Sequence, residues 1–161
     1  MAVELIFMMH RERPYDVDND GDFLFAESLI AALRIMPVIL RDRGPLTTAK
    51  VIAKIMLRRC YYFGLTRVGR PISTGIAARG YCRFYPVRSD AIVLADIVTH
   101  EGNRGQGHAT RAIMLAINEM IRRGSTIFYI DTQHANRPMI RAIAKLGFGD
   151  AVRKSGLLSQ S

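Results

Sequence analysis

Cysteine is scarce in this chain: Cys60 and Cys82 are the only two among 161 residues, and neither lies in a cluster with metal-ligand spacing. Stability must therefore come from a hydrophobic core, and 161 residues at 49% hydrophobic content can build one without covalent staples. Cys82 falls on the apolar side of an alternating segment and reads as a buried thiol in a reducing cytoplasm. Long apolar runs are also missing. The longest, residues 23–40, is broken by Glu27 and Arg34, so no membrane span is expected. The N-terminus lacks the basic start and apolar region of a secretory leader. Linkers, repeats and low-complexity tracts are absent as well, and a single domain over residues 1–161 is the expectation.

Acidic residues are few, 14 against 23 basic ones, for a net charge of +9. The balance is uneven. Residues 1–36 carry 3 basic and 7 acidic side chains (−4), residues 37–100 carry 11 and 3 (+8), and residues 101–161 carry 9 and 4 (+5). Such an excess draws anions, whether a phosphorylated cosubstrate or an acidic acceptor. No nucleic-acid-binding motif accompanies it, so nucleic acid is not the expected partner.

The first strand is read at Val3 to Met9, and a helix at Phe23 to Met36. Gly44-Pro45 breaks the chain before a second helix with Thr47 or Thr48 as its cap and Val51, Ile52, Ile55 and Met56 on its apolar face. Tyr61 to Val68 and Ile72 to Tyr85 form a hairpin around Gly69-Arg70. In its second arm Ile72, Ile76, Ala78, Cys82 and Phe84 alternate with Arg79, Tyr81 and Arg83.

The apolar run Ala91 to Val98 precedes Arg104-Gly105-Gln106-Gly107-His108-Ala109-Thr110, which opens a helix with Ala109, Ile113, Ala116, Ile117 and Met120 on one face and Gly124 as its stop. Thr126 to Asp131 follows as a buried strand. Strand, crossover helix and strand make a parallel pair, whose ligands sit beyond the C-terminal strand ends. A helix start presents unpartnered N–H groups and a positive dipole end, so a glycine-rich turn there suits phosphate.

One acidic stretch, Asp16 to Glu27, fits the twelve-residue calcium loop with carboxylates at 16, 18, 20 and 27 and a glycine at the bend, Gly21. Its flanks do not fit. Pro14 interrupts the entering segment and there is no paired loop, so the stretch reads instead as an acidic helix N-terminus capped by Asp20 or Asp22, with no metal site.

Arg104, Gly107 and Ala109 resemble the pyrophosphate loop Arg/Gln-x-x-Gly-x-Gly/Ala of the GNAT superfamily of acetyl-CoA-dependent N-acyltransferases. Asn136 and Leu146-Gly147-Phe148 resemble that family's second element, in the same order and spacing. The resemblance spans roughly residues 60 to 150. It implies an α/β fold, a central mixed sheet flanked by helices, ending in a short strand. It also implies an N-acetyltransferase (an acyltransferase of the EC 2.3.1 type) moving an acetyl group from acetyl-CoA to a primary amine by direct attack on the thioester.

The cosubstrate would lie on Arg104 to Thr110, on the backbone of Ile97, Val98 and Thr99, and at Asn136. Asp131, five residues before Asn136, takes a place where some members carry a glutamate base. Asp96, His134 and His100 are further candidates. Where the family often has a tyrosine acid, seven residues after the Asn, this chain has Ile143, so Tyr129 or solvent would have to serve the leaving thiolate. A catalytically silent CoA-binding or basic interaction module is the alternative reading. The acceptor's identity stays open, and a homodimer is compatible with the sequence.

Overall fold

The computed structural model describes residues 4–155. The elements are β1 (Glu4–His10), β2 (Phe23–Ala26), α1 (Leu29–Arg34), α2 (Met36–Met56), β3 (Cys60–Arg67), β4 (Arg70–Arg79), β5 (Ile92–Thr99), α3 (His108–Arg122), β6 (Ile127–Gln133), α4 (Arg137–Lys145) and β7 (Arg153–Ser155). They form a seven-stranded mixed sheet in the order β2-β3-β4-β5-β6-β1-β7. Val3, expected to open the first strand, lies outside the described residues.

Among the described residues only β5 and β6 pair in parallel. The connection between them is α3, whose buried Ala112, Ile113, Ala116, Ile117 and Met120 are the stripe expected from the 3.6-residue period. This helix and α4 contribute to a core with Phe63, Leu65, Leu94, Phe128 and Ile130. On the opposite face a smaller core gathers Ala32, Ile39, Val51 and Ile55 against Tyr62 and Ile76. Among the described residues no helix is long and apolar enough to cross a membrane.

Four sequence expectations need correction. Residues 23–26 are not helical: they pair as an edge strand with Tyr62 to Leu65, and Phe25 stacks on Tyr61 with ring centroids 5.5 Å apart. Aromatic packing on a pleated surface overrides the helical pattern there, and the helix starts only after Ser28, whose hydroxyl accepts from the Ala31 N–H. The break at Gly44 is present, at φ +73°, but neither threonine caps the resumed helix; Thr48 donates instead to the Gly44 carbonyl at 2.7 Å. The second arm of the hairpin stops at Arg79. Beyond it Phe84 and Tyr81 are exposed and Cys82 is half-buried, because the chain leaves the sheet and runs as a loop over its end.

The acidic stretch is explained by a cation of the chain's own. Arg111 on α3 donates to Asp22 at 3.0 Å, to Asp20 at 2.9 Å and to the Asp18 carbonyl at 3.0 Å, while Glu27 pairs with Arg123. Neither Asp20 nor Asp22 caps a helix. The segment joins β1, near one edge of the sheet, to β2 at the other, and it is fastened across α3 again where Tyr15 and Asn118 exchange hydrogen bonds of 2.6 and 2.9 Å.

Ile117 is fully buried between α3 and the sheet. Ile117→Ala removes buried volume that this core cannot refill, and stability in urea unfolding is expected to fall by about 2–5 kcal/mol.

Candidate active site

The parallel ladder of β5 and β6 is short. Ile92, Val93 and Leu94 pair with Phe128, Tyr129 and Ile130, and the register ends there although both strands continue. On its other side β5 departs from regular pairing with β4. Between the pairs Thr74–Val98 and Ile76–Ala95 the β5 strand has one residue more than its partner, and Asp96 takes φ +51°. Such a bulge bends the strand and strengthens its twist. The two strands therefore diverge, and a cleft of about 760 Å³ opens where they part.

Asp131 lines this cleft together with Thr132, Ala95, Asp96, Ile97, Asn136 and Met139. Its carboxylate accepts from the Tyr85 hydroxyl at 2.9 Å. Burial pushes the Asp131 carboxyl above the usual range, the Tyr85 bond pulls it part of the way back, and the charge of Asp96 raises it again. Tyr85 is buried, and its own phenol is driven far above its ordinary value by burial and by the Asp131 charge, so it remains a donor. Sequence reasoning missed Tyr85, which lies in the loop after β4 with no motif around it.

The other candidates part ways. Asp96 is exposed on the bulge and shares the cleft with Asp131. His134 is exposed in the turn after β6 and does not line the cleft. Tyr129 packs beside Tyr85 with ring centroids 6.2 Å apart. Ile143 is fully buried in the α3 and α4 core, which accounts for an apolar residue at that place. Asn136 caps α4 by accepting from the Met139 N–H at 3.3 Å, and it also borders the cleft.

His100 belongs to a second cluster that the sequence did not announce. Asp42, with a side chain wholly removed from solvent, accepts from Tyr62 at 2.9 Å, Thr74 at 2.8 Å and Arg43 at 2.6 Å, and His100 Nε2 lies 2.7 Å from its other oxygen. Burial alone would raise the Asp42 carboxyl; the donors of Thr74, Arg43, His100 and Tyr62 outweigh it and hold the group below the usual range. The same Arg43 donates at 2.6 Å to the carbonyl of Asp96, which ties α2 to the bulge.

Beyond β5 the chain turns through Gly102, Gly105 and Gly107, all at positive φ, into α3. A Cβ added at any of them would meet no atom within 4 Å, so the turn faces open space. No side chain caps α3, whereas α1 and α4 are capped by Ser28 and Asn136. Arg104 is exposed, with its Nε on the Thr99 carbonyl at 3.1 Å. Gln106 donates to the Gly102 carbonyl and approaches His108 within 3.3 Å. A helix start bare of side-chain caps and approached through glycines can receive an anion.

The sequence profile of the Acetyltransferase (GNAT) family matches residues 50–148, the stretch that holds both the cleft and the glycine turn. This chain belongs to the GNAT acetyltransferase family. Acetyl-CoA is the acyl donor that this family uses.

A search among curated proteins finds no match. Solved structures of the same fold include a GNAT-family protein of Novosphingobium aromaticivorans (20% identity, TM-score 0.60, covering 96% of this chain and 62% of that one). An acetyltransferase of the GNAT family from Colwellia psychrerythraea is similar (18%, 0.65, covering 94% and 53%). A third, from Clostridium acetobutylicum and crystallised with acetyl-CoA, has 19% identity and a TM-score of 0.55, covering 84% and 94%. This chain thus spans less than two thirds of the length of the first two, and at these identities the likeness is one of fold.

Removing the buried carboxylate leaves Arg43 and the other donors without their acceptor. Asp42→Ala is expected to lose about 3–5 kcal/mol of stability at neutral pH in denaturant titrations. A carboxyl whose pKa is lowered on folding stabilises above its unfolded value, and that contribution disappears as pH falls through the folded value. The gap between wild type and variant should accordingly narrow in acid, below the ordinary carboxylate range.

Proposed function

We propose that the chain transfers the acetyl group of acetyl-CoA to a primary amine, with Asp131 accepting the proton of the attacking nitrogen. The observation that carries this reading is the Asp131 carboxylate, set at the mouth of the diverging strands, hydrogen-bonded to Tyr85 and shifted toward neutral pH. An ammonium has no lone pair to attack with, so a base in reach of the nitrogen is the first requirement.

The donor fits the residues present. The N–H groups at the start of α3, with Arg104 beside them, would hold the pyrophosphate; Gly105 and Gly107 leave room for it, and Gln106, His108, Ala109 and Thr110 complete the turn. The β5 backbone from Ile97 to Thr99 has lost its β6 partner and would align the pantetheine arm, with Asn136 across the cleft. Bound there, acetyl-CoA supplies an activated carbonyl. The nitrogen forms a bond to that carbon, the carbon–sulfur bond breaks, and the proton passes to Asp131, directly or through water.

With Ile143 sealed in the core, α4 offers no hydroxyl at that place to the thiolate, which is a good leaving group and takes its proton from solvent. Much of the acceleration then comes from holding amine and thioester in line. Two free cysteines and the absence of a membrane-length apolar helix among the described residues support a cytoplasmic location. One sheet running from β1 to β7 supports action as a single domain.

Gly107 sits at φ +79°, where any side chain is strained and would intrude on the phosphate position. Gly107→Val is expected to abolish acetyl-CoA binding in calorimetry; unchanged affinity would place the phosphates elsewhere.

Asp131→Asn should keep that affinity and lose about a hundredfold or more in turnover. Because the Asp131 carboxyl is raised, wild-type kcat/KM should climb with pH along a limb above the ordinary carboxylate range as the base ionises. Tyr85→Phe deletes the bond that lowers this pKa and should move the limb to higher pH. A limb that stays in place would show that another group is titrating.

A further inference from the structure

The cleft has two ends of opposite character. Asp96 and Asp131 stand where β5 and β6 part, while Lys54, Arg59, Arg79 and Arg83 line the same cleft toward the start of β5. Backbone register fixes the spacing. Arg79 pairs with Ile92, its N–H donates to the Arg59 carbonyl at 3.3 Å, and Asp131 follows Ile130, the partner of Leu94. The cationic end is thus three residues along the sheet from the level of Asp131, about 10 Å at the rise of a strand.

None of these four cations forms an ion pair among the described residues, whose salt bridges involve Arg43, Arg88, Arg111, Arg122 and Arg123 together with His10 and His100. Arg79 meets only the Ser125 hydroxyl, at 3.3 Å, and Arg83 lies over the Phe84 ring at 6.0 Å. Nor does the proposed donor site use them, since the glycine turn lies past the opposite end of β5.

Arg79, the register partner of Ile92 in the α3-side core, turns its guanidinium to Ser125, and the three remaining cations against two carboxylates still repel an acceptor that carries only an ammonium. We propose, building on the acetyltransfer reading above, that the acceptor is a small amine bearing an anionic group, a carboxylate or a phosphate, held several bonds from the nitrogen. The amine lies against Asp131 and the anion against Lys54, Arg59 and Arg83. Between them Leu57, Ile76, Ala78 and Phe84 offer an apolar wall to the connecting chain. The volume suits a small molecule rather than a folded partner.

The test compares matched amines with the whole chain: aminohexanoate, aminopropyl phosphate, hexylamine and diaminohexane, read by thiol release from acetyl-CoA. The anionic amines should exceed hexylamine in kcat/KM by about tenfold or more, diaminohexane should be poorest, and added salt should shrink the preference. The ratio of aminohexanoate to aminopropyl phosphate identifies which anion is read. In Lys54→Gln/Arg83→Gln the preference over hexylamine should collapse toward one, with acetyl-CoA affinity in calorimetry showing that the variant is folded.

A preference that is absent in the wild type, or that survives in the variant, overturns the proposal. Calorimetry of the same amines in the presence of CoA separates it from the catalytic reading. Salt-sensitive binding of aminohexanoate over hexylamine without any thiol release sustains the anion site and sinks the acetyltransfer, whereas thiol release with no discrimination does the reverse.

Discussion

Everything at the site depends on a parallel strand pair that stops after three residues. A backbone N–H or C=O removed from a ladder must find another partner or remain open to water, at a cost comparable to a lost hydrogen bond. Past Leu94 and Ile130 the facing edges of β5 and β6 are in that position, and an amide-bearing arm lying between them would restore what the sheet forgoes. The bulge at Asp96 on the outer side of β5 turns the strand away from β6, so the opening is built by the pairing pattern itself. An ordinary continuous ladder here would leave no cleft and no approach to Asp131.

The divergence has to be held open from both sides. On the β5 side the restraint is the Asp42 cluster: a carboxylate out of solvent, four donors around it, and Arg43 reaching on to the Asp96 carbonyl. This explains why α2 kinks where it does. Gly44 at φ +73° lets the helix change direction just after Asp42 and Arg43, so these two side chains meet β3, β4 and β5 while Val51 and Ile55 still reach the smaller core. An ionised carboxylate only accepts, which places the His100 ring proton on Nε2 and fixes the ring at the entrance to the glycine turn.

Much of this architecture was legible in the chain. The 3.6-residue stripe of α3, the strands on either side of it and the break at Gly44 all follow from local periodicity and turn chemistry. What local pattern could not reveal was pairing at a distance. Phe23 to Ala26 looks helical until Tyr61 and Phe63 are set beside it, and the acidic stretch looks like a capped helix N-terminus until Arg111, far along the chain, takes the carboxylates of Asp20 and Asp22. Asp42 and Tyr85 were illegible for the same reason. A single buried Asp and a single loop Tyr carry no spacing signal, and their roles exist only once four strands have been brought together.

On the β6 side the restraint comes from the beginning of the chain. β1 pairs antiparallel with the whole of β6, and Ile6 stands opposite Asp131 in the register. A strand that has parted from one neighbour would ordinarily gain freedom, yet β6 stays in the ladder on its outer edge as far as Gln133 and Glu4. The carboxylate is therefore carried by a strand free on the cleft side and fixed on the other. The crossover from β1 to β2, clamped to α3 by Asn118 and Arg111, keeps that support in place. The acidic N-terminal segment thus contributes to the site without touching it: its charge is spent on α3, and the strand before it sets the position of Asp131.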